Sequence, residues 1–235
     1  MPRADGLAPA ARWWPLVLIL AAVLVAWPAL AHDVSEADRA AVQGIEGAAF
    51  APFLYLGAKH MVTGYDHVLF LIGVVFYLYR LRDVVIYVSM FTIGHSLTLM
   101  GGVLLGTGAN PYLIDAIIGL SVVYKAVENL GGLRKVGLTI DPRLAVLVFG
   151  LFHGLGLATK LQDLALSEDG LLTNLIAFNL GVEAGQVIVL VAVLAVLNVW
   201  RRSPGFTKGA RYANVALVVA GLGLTAYQLA GWAQA

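Results

Sequence analysis

From position 51 to the C-terminus the chain is a succession of apolar runs, at about 51–80, 84–106, 111–131, 142–160, 171–200 and 210–231, broken by charge or by Gly and Pro. Each run is near the ~20 residues that a helix needs to cross a bilayer. The pattern predicts an all-α fold, a polytopic membrane bundle of about six transmembrane helices. Composition agrees: 60% of the residues are hydrophobic and 12% charged, against roughly 25% charged in soluble domains.

The first 31 residues predict a cleavable signal peptide. Arg3 and Arg12 precede an apolar run from Trp13 to Val25, and Ala29 to Ala31, "ALA", supplies the small residues a signal peptidase needs. Cleavage there leaves His32 as the mature N-terminus, where its amine and imidazole could capture a metal. The alternative is an uncleaved first helix, because the run is long for a signal and Trp13 and Trp14 suit a membrane interface. Residues 32–50 read as a short, acidic extracytoplasmic segment, and residues 51–231 as a single transmembrane domain with no evident linker or internal repeat. Lys and Arg concentrate in the connectors at 80–83, 134–143 and 201–211, whereas 106–110 and 160–170 are poor in basic residues or acidic. The positive-inside rule puts the first set in the cytoplasm, so both mature termini are expected outside. The expected location is the bacterial cytoplasmic membrane.

Two classes of chemistry drop out early. A net charge of +1 with no basic run excludes nucleic acid as a partner. The absence of Cys removes disulfides, thiolate metal sites and cysteine nucleophiles. Any metal must be held by nitrogen and oxygen.

Function is to be sought in the polar residues inside the runs, since an ionisable group at mid-membrane costs about 2.5–3.5 kcal/mol on insertion scales. Four of the five histidines fall there: His60 and His67 in the first run, His95 in the second and His153 in the fourth. Singly, each reads best as a hydrogen-bonded packing residue; together with Asp66, Glu128 and Glu183 they point to a polar cavity or ion path.

On a straight helix His60 and His67 share a face but lie about 10 Å apart along the axis, too far for one ion with metal–nitrogen bonds near 2 Å. Either Gly64 breaks the helix or the pair marks successive stations. Asp66 is off that face by about 120°; it ligates directly only if the backbone is distorted, and otherwise orients a His of a neighbouring helix. Thr92 and Ser96 flank His95 at helical spacing, where a hydroxyl can set the imidazole tautomer or bond its own turn. Gly150, Gly154 and Gly156 surround His153 and allow close approach of a helix or an ion. Lys125 and Glu128, three apart, suit an ion pair on a face shared with Ser121. Asn179, Glu183 and Gln186 share another face, and Glu183 has no basic partner in its own run.

The spacing of His60, Asp66 and His67 (H-x5-D-H), followed by "FTIGHSLTL", "FGLFHGLGLA" and "FNLGVEAGQ", resembles the HupE/UreJ family of membrane proteins with hydrogenase and urease accessory functions. The resemblance spans nearly the whole mature chain. It implies transport of nickel, with cobalt second, for metallocentre assembly by a maturation machinery. It also implies that His60, Asp66 and His67 are required, with His95 and His153 as motif histidines. The nickel-permease branch has a histidine-crowded segment where this chain has only His153, so the resemblance is to the second, broadly distributed branch.

The donor set fits. Imidazole suits Zn, Cu, Fe and Ni, whereas carboxylate alone points to Mg, Ca or Mn. Inward movement of a divalent cation gains about 4.6 kcal/mol per 100 mV of membrane potential, and no P-loop is present. The expectation is uptake of a divalent transition metal, nickel favoured and cobalt, copper, zinc or iron also admitted. His60, Asp66, His67, His95 and His153 are the expected ligands. Glu128, Glu183, Asn179 and Ser96 are assigned to proton coupling or to support of the ligands. Two alternatives use the same residues: an intramembrane metal-dependent enzyme, which needs its ligands around one point, and a metal-binding accessory partner of a membrane complex.

Overall fold

The computed structural model describes Val42, residues 44–162, Leu164 and residues 167–235. The expected signal peptide, its cleavage point and His32 lie outside the described residues. Each of the six apolar runs is helical, and no strand occurs among the described residues. In hydrocarbon this is required, because a helix satisfies its backbone groups within its own segment.

The helices are α1 (Phe50–Thr63), α2 (Tyr65–Val75), α3 (Leu81–Leu105), α4 (Pro111–Asn129), the single turn α5 (Gly132–Lys135), α6 (Pro142–Gln162), α7 (Leu171–Arg201) and α8 (Phe206–Trp232). Four of them, α3, α6, α7 and α8, are long and apolar enough to cross a membrane by length and composition. The other two runs fall short for identifiable reasons. The first is split into α1 and α2 at Gly64, and α4 carries Asp115, Lys125 and Glu128.

Three helix pairs, α1 with α7, α3 with α6, and α4 with α8, dominate the packing. Each is a glycine seam at which backbones touch. A Cβ on Gly57 would collide with the Phe178 carbonyl, one on Gly181 with the Leu54 carbonyl, one on Gly94 with the Leu147 carbonyl and one on Gly154 with the His95 carbonyl. In an apolar solvent no hydrophobic force drives helices together, so van der Waals contact between closely approaching backbones carries more of the association.

These contacts also fix direction. Along α1 and α7, Gly47 lies at Gly170, Gly57 at Phe178 and Ala58 at Gly185, so the two helices run parallel. Along α3 and α6, Phe91 lies at Gly150, His95 at Gly154 and Gly102 at Ala158, again parallel. α4 and α8 run antiparallel, with Tyr112 at Gly231 and Gly119 at Gly221.

The same contacts expose an internal repeat that is not evident along the sequence. Gly57 meets Phe178, and Gly150 meets Phe91; Gly181 meets Leu54 and Ala58, and Gly94 meets Leu147 and Leu151. The Gly185–Ala58 carbonyl approach, 2.7 Å from an added Cβ, is matched by the bond from Thr98 Oγ1 to the Leu151 carbonyl, also 2.7 Å. Gly119 meets Gly221 and Thr225, while Gly221 meets Gly119 and Val123. One operation therefore exchanges α1 with α6, α3 with α7, and α4 with α8. Because the antiparallel pair maps onto itself, the operation is a two-fold rotation that reverses the chain direction. The two halves form an inverted repeat.

The ends of the bundle are pinned by polar contacts. At one end the Arg201 guanidinium donates to the Val75 and Phe76 carbonyls, at 2.6 and 2.8 Å, and Asn129 Nδ2 donates to the Gly73 carbonyl and to Asn214 Oδ1. This end holds the connectors after α2, α4 and α7, where the basic residues gather. At the other, Gln162 bonds the carbonyls of Gly102 and Thr107, and Lys160 pairs with Asp115 at 2.9 Å.

Candidate metal centre

Gly64 decides how the first run folds. It leaves the helix with φ −69° and ψ 95°, while its N–H still bonds the His60 carbonyl at 2.8 Å and its own carbonyl starts α2 by accepting from Val68. Any residue tolerates those angles; the space is what demands glycine. A Cβ would lie 2.8 Å from the His60 carbonyl oxygen, 3.1 Å from His67 Nδ1 and 3.2 Å from Asp66 Oδ1. The break brings the His60 and His67 rings to 5.0 Å between centroids, in place of the straight-helix separation.

His67 is the hub. Its ring lies 5.0 Å from His60, 4.7 Å from His153 and 5.9 Å from His95. Four imidazoles from α1, α2, α3 and α6 thus converge. His67, His95 and His153 are at most 2% exposed, and His60 is half-buried. Phe70 and Phe91 pack against the His153 ring, and Phe178 lies beside His60.

Hydrogen bonds specify which nitrogens are presented. Asp66 Oδ1 accepts from the His67 backbone N–H at 2.9 Å and lies 3.0 Å from His67 Nδ1. A carboxylate there holds the proton on Nδ1 and leaves a lone pair on Nε2. The backbone is distorted at Gly64, the condition set for direct ligation by Asp66, and the imidazole that the carboxylate orients is the adjacent one of its own helix and not one on a neighbouring helix. Ser121 Oγ donates to the Ile118 carbonyl at 2.6 Å and lies 3.3 Å from His153 Nε2. With its proton committed, the hydroxyl accepts from Nε2–H and leaves the His153 Nδ1 lone pair available.

The remaining ring nitrogens support this reading. His60 Nε2, His67 Nε2, His95 Nε2 and His153 Nδ1 are buried and make no hydrogen bond. One such orphan is costly, since an unmade bond forfeits about 1–3 kcal/mol of desolvation; four on rings gathered about His67 mark the cluster as a place that could hold a cation. Ligand atoms of Asp66, His67 and His153 lie within 4.8 Å of one another.

The other singled-out residues divide. Thr92 does not serve His95; its hydroxyl donates to Gln186 Oε1 at 2.8 Å, leaving Gln186 Nε2 buried and unbonded. Ser96 is half-buried on α3. Asn179 is buried, its amide donating to the Leu175 carbonyl while its oxygen stays unbonded. Glu183 is exposed, so α7 buries Asn179 and Gln186 and turns Glu183 away from the cluster. Lys125 and Glu128 form the expected ion pair at 2.8 Å. Ser121 was read from sequence only as a member of that face, and its place beside His153 depends on the packing of α4 against α6, which the sequence does not announce.

Comparison with curated proteins and with solved structures yields no significant match. The profile described as HupE / UreJ protein matches residues 36–235. That range contains all four histidines of the cluster, the break at Gly64 and both halves of the repeat, and the chain belongs to the HupE/UreJ family.

Proposed function

We propose that this chain carries a divalent transition-metal ion across a bilayer through the histidine cluster, in a family associated with nickel and cobalt accessory functions. The observation that carries the reading is the convergence on His67 of three further imidazoles from separate helices, each with an unbonded buried nitrogen. Neutral nitrogen donors with one carboxylate suit a first-row transition metal, nickel or cobalt first. The ion is substrate here; His60, His67, His95 and His153 are its candidate ligands, and Asp66 fixes the His67 tautomer. Ser96 follows His95 on α3, Asn179 follows the Phe178 that lies beside His60, and Glu128 with Lys125 lies beyond Ser121 on the same face of α4.

The parallel pairing of α1 with α7 and of α3 with α6, and the antiparallel pairing of α4 with α8, support six crossings, with the broken α1–α2 element and α4 counted as spans. α4 tolerates its charges because Lys125 pairs with Glu128 and Asp115 with Lys160. The basic connectors share one end of the bundle, which supports a cytoplasmic placement of that end, mature termini outside, cleavage after Ala31 and residence in a bacterial cytoplasmic membrane. Delivery to a metalloenzyme maturation machinery completes the reading.

The compactness of the cluster favours a second reading, an intramembrane metal-dependent enzyme with Asp66, His67 and His153 around one ion. Transport is preferred because the cluster lies where two inverted halves meet, the arrangement that gives a site access to both sides. The deciding experiment is uptake of Ni, Co, Cu, Zn and Fe ions into proteoliposomes at inward-negative potential, intact protein against His67→Ala. Uptake of a metal that vanishes in the variant supports transport; stoichiometric retention without uptake supports the enzyme.

A further inference from the structure

The two-fold relation assigns partners to the ligands. On α1, Leu54, Gly57 and His60 form an L-x-x-G-x-x-H pattern, and on α6 Leu147, Gly150 and His153 repeat it. On α3 Phe91 and Gly94, and on α7 Phe178 and Gly181, form the matching F-x-x-G. The equivalence extends to the rings. His60 lies 6.2 Å from Phe178, and His153 lies 5.1 Å from Phe91. Both imidazoles are nearly equidistant from His67, at 5.0 and 4.7 Å. His67 has no such twin; at the same sequence distance past His153, on the unbroken α6, stands Lys160, engaged with Asp115.

Resting on the transport reading above, we propose that His60 and His153 are alternate ligands of one ion. Each serves one side of the membrane, and the ion passes between them while His67 holds it throughout. Exposure is consistent with this division: His60 is half-buried and His153 fully buried, so the two halves occupy unlike environments around like ligands. Exchanging the conformations of the halves would exchange those environments, giving a single central site with two one-sided partners. The fixed alternative is a three-residue site of Asp66, His67 and His153 to which His60 contributes nothing, and it makes opposite predictions.

The chain contains no Cys, so single cysteines can be read without background. Full-length His60→Cys and His153→Cys, in vesicles of known orientation, are exposed to a small membrane-impermeant methanethiosulfonate from each face. The expected result is modification at least tenfold faster from one face for His60→Cys, and from the opposite face for His153→Cys. Modification of both from the same face, equally from both faces, or of either from neither face overturns the proposal. This readout needs no metal, so it stands apart from failure of the transport reading, which shows as no metal bound or moved by the intact protein.

Should a cysteine variant fail to accumulate, Co2+ titration of His60→Gln and His153→Gln by visible absorption decides. Affinity within threefold of the parent in each single variant, with at least a tenfold loss in the His60→Gln/His153→Gln double variant, upholds the alternate-ligand assignment; tenfold losses in both single variants, the mark of simultaneous ligation, overturn it. A loss in His153→Gln alone overturns it.

Discussion

Replacing Gly64 by Ala tests whether the helix break assembles the centre. The alanine Cβ falls 2.8 Å from the His60 carbonyl oxygen, which cannot retreat without stretching its 2.8 Å bond from the residue 64 N–H. The same methyl presses on His67 Nδ1 and Asp66 Oδ1, the atoms whose 3.0 Å contact sets the His67 tautomer. Overpacking of this kind costs about 1–3 kcal/mol, and Ala favours an uninterrupted helix over Gly by about 1 kcal/mol. The broken form is thus disfavoured by about 2–4 kcal/mol against a straight one, in which the two imidazoles stand about 10 Å apart. Carried into affinity at about 1.4 kcal/mol per tenfold, this is roughly a 30- to 700-fold weakening. Co2+ titration followed by visible absorption reads the affinity, and thermal unfolding in detergent reads the fold. The expected pattern is lost affinity with a lowered melting temperature, since straightening the helix would carry the buried residues of α2 out of the core. Cobalt affinity within threefold of the parent in a folded Gly64→Ala protein would refute the argument that the break unites His60 and His67.

Ser121→Ala removes the acceptor of His153 Nε2–H and should weaken Co2+ binding about 10- to 100-fold, the range for groups that orient metal ligands; Ser121→Thr, which restores the hydroxyl, should recover most of it. Gly57→Leu forces α1 off the Phe178 carbonyl of α7 and should cost about 3 kcal/mol or more, seen as a lower detergent melting temperature, with or without metal. Glu183→Gln changes an exposed side chain and should leave Co2+ affinity within twofold in the same titration. Lys125→Met strands the Glu128 carboxylate and should destabilise the protein by about 3–5 kcal/mol if the pair is membrane-buried, less to the extent that water reaches Glu128, measured by thermal unfolding.

Much of this was written along the chain, because in a bilayer length and hydropathy leave few choices. All six apolar runs are helices, and the intramembrane histidines converge as their joint placement suggested. The choice between a broken helix and successive stations at His60 and His67 could not be made from spacing, since glycine in a helix costs only ~1 kcal/mol. Crowding by His60, Asp66 and His67, all within four residues, shows why the broken form needs glycine at 64, while the contact of His67 with His95 and His153 on other helices is the tertiary fact that spacing does not carry. Glu183 misleads for a similar reason. Helical spacing puts it on the margin of the Asn179 and Gln186 face, and packing alone decides on which side of that margin it falls. The repeat escaped because its period is not constant. Going from His60 to His153 takes 93 positions, from Phe91 to Phe178 takes 87, and from Gly119 to Gly221 takes 102. Unequal connectors hide short matches that only shared contacts reveal.

The antiparallel contact of α4 with α8, in which Gly119 faces Gly221 and each sees the other's carbonyl, has the form of an isologous dimer interface. Two separate half-length subunits meeting this way would carry every side chain twice, so a histidine brought to the axis would meet its own copy there. Tethering the halves in one polypeptide lifts that obligation. Position 67 can be His while position 160, at the same sequence distance past the matched histidine, is Lys, and Asp66 can orient an imidazole while Thr159, on an unbroken helix, bonds the Leu155 carbonyl of its own turn instead. The covalent link between halves is thereby what permits a symmetric frame to hold ligands, His67 and His95, that have no histidine counterpart in the other half.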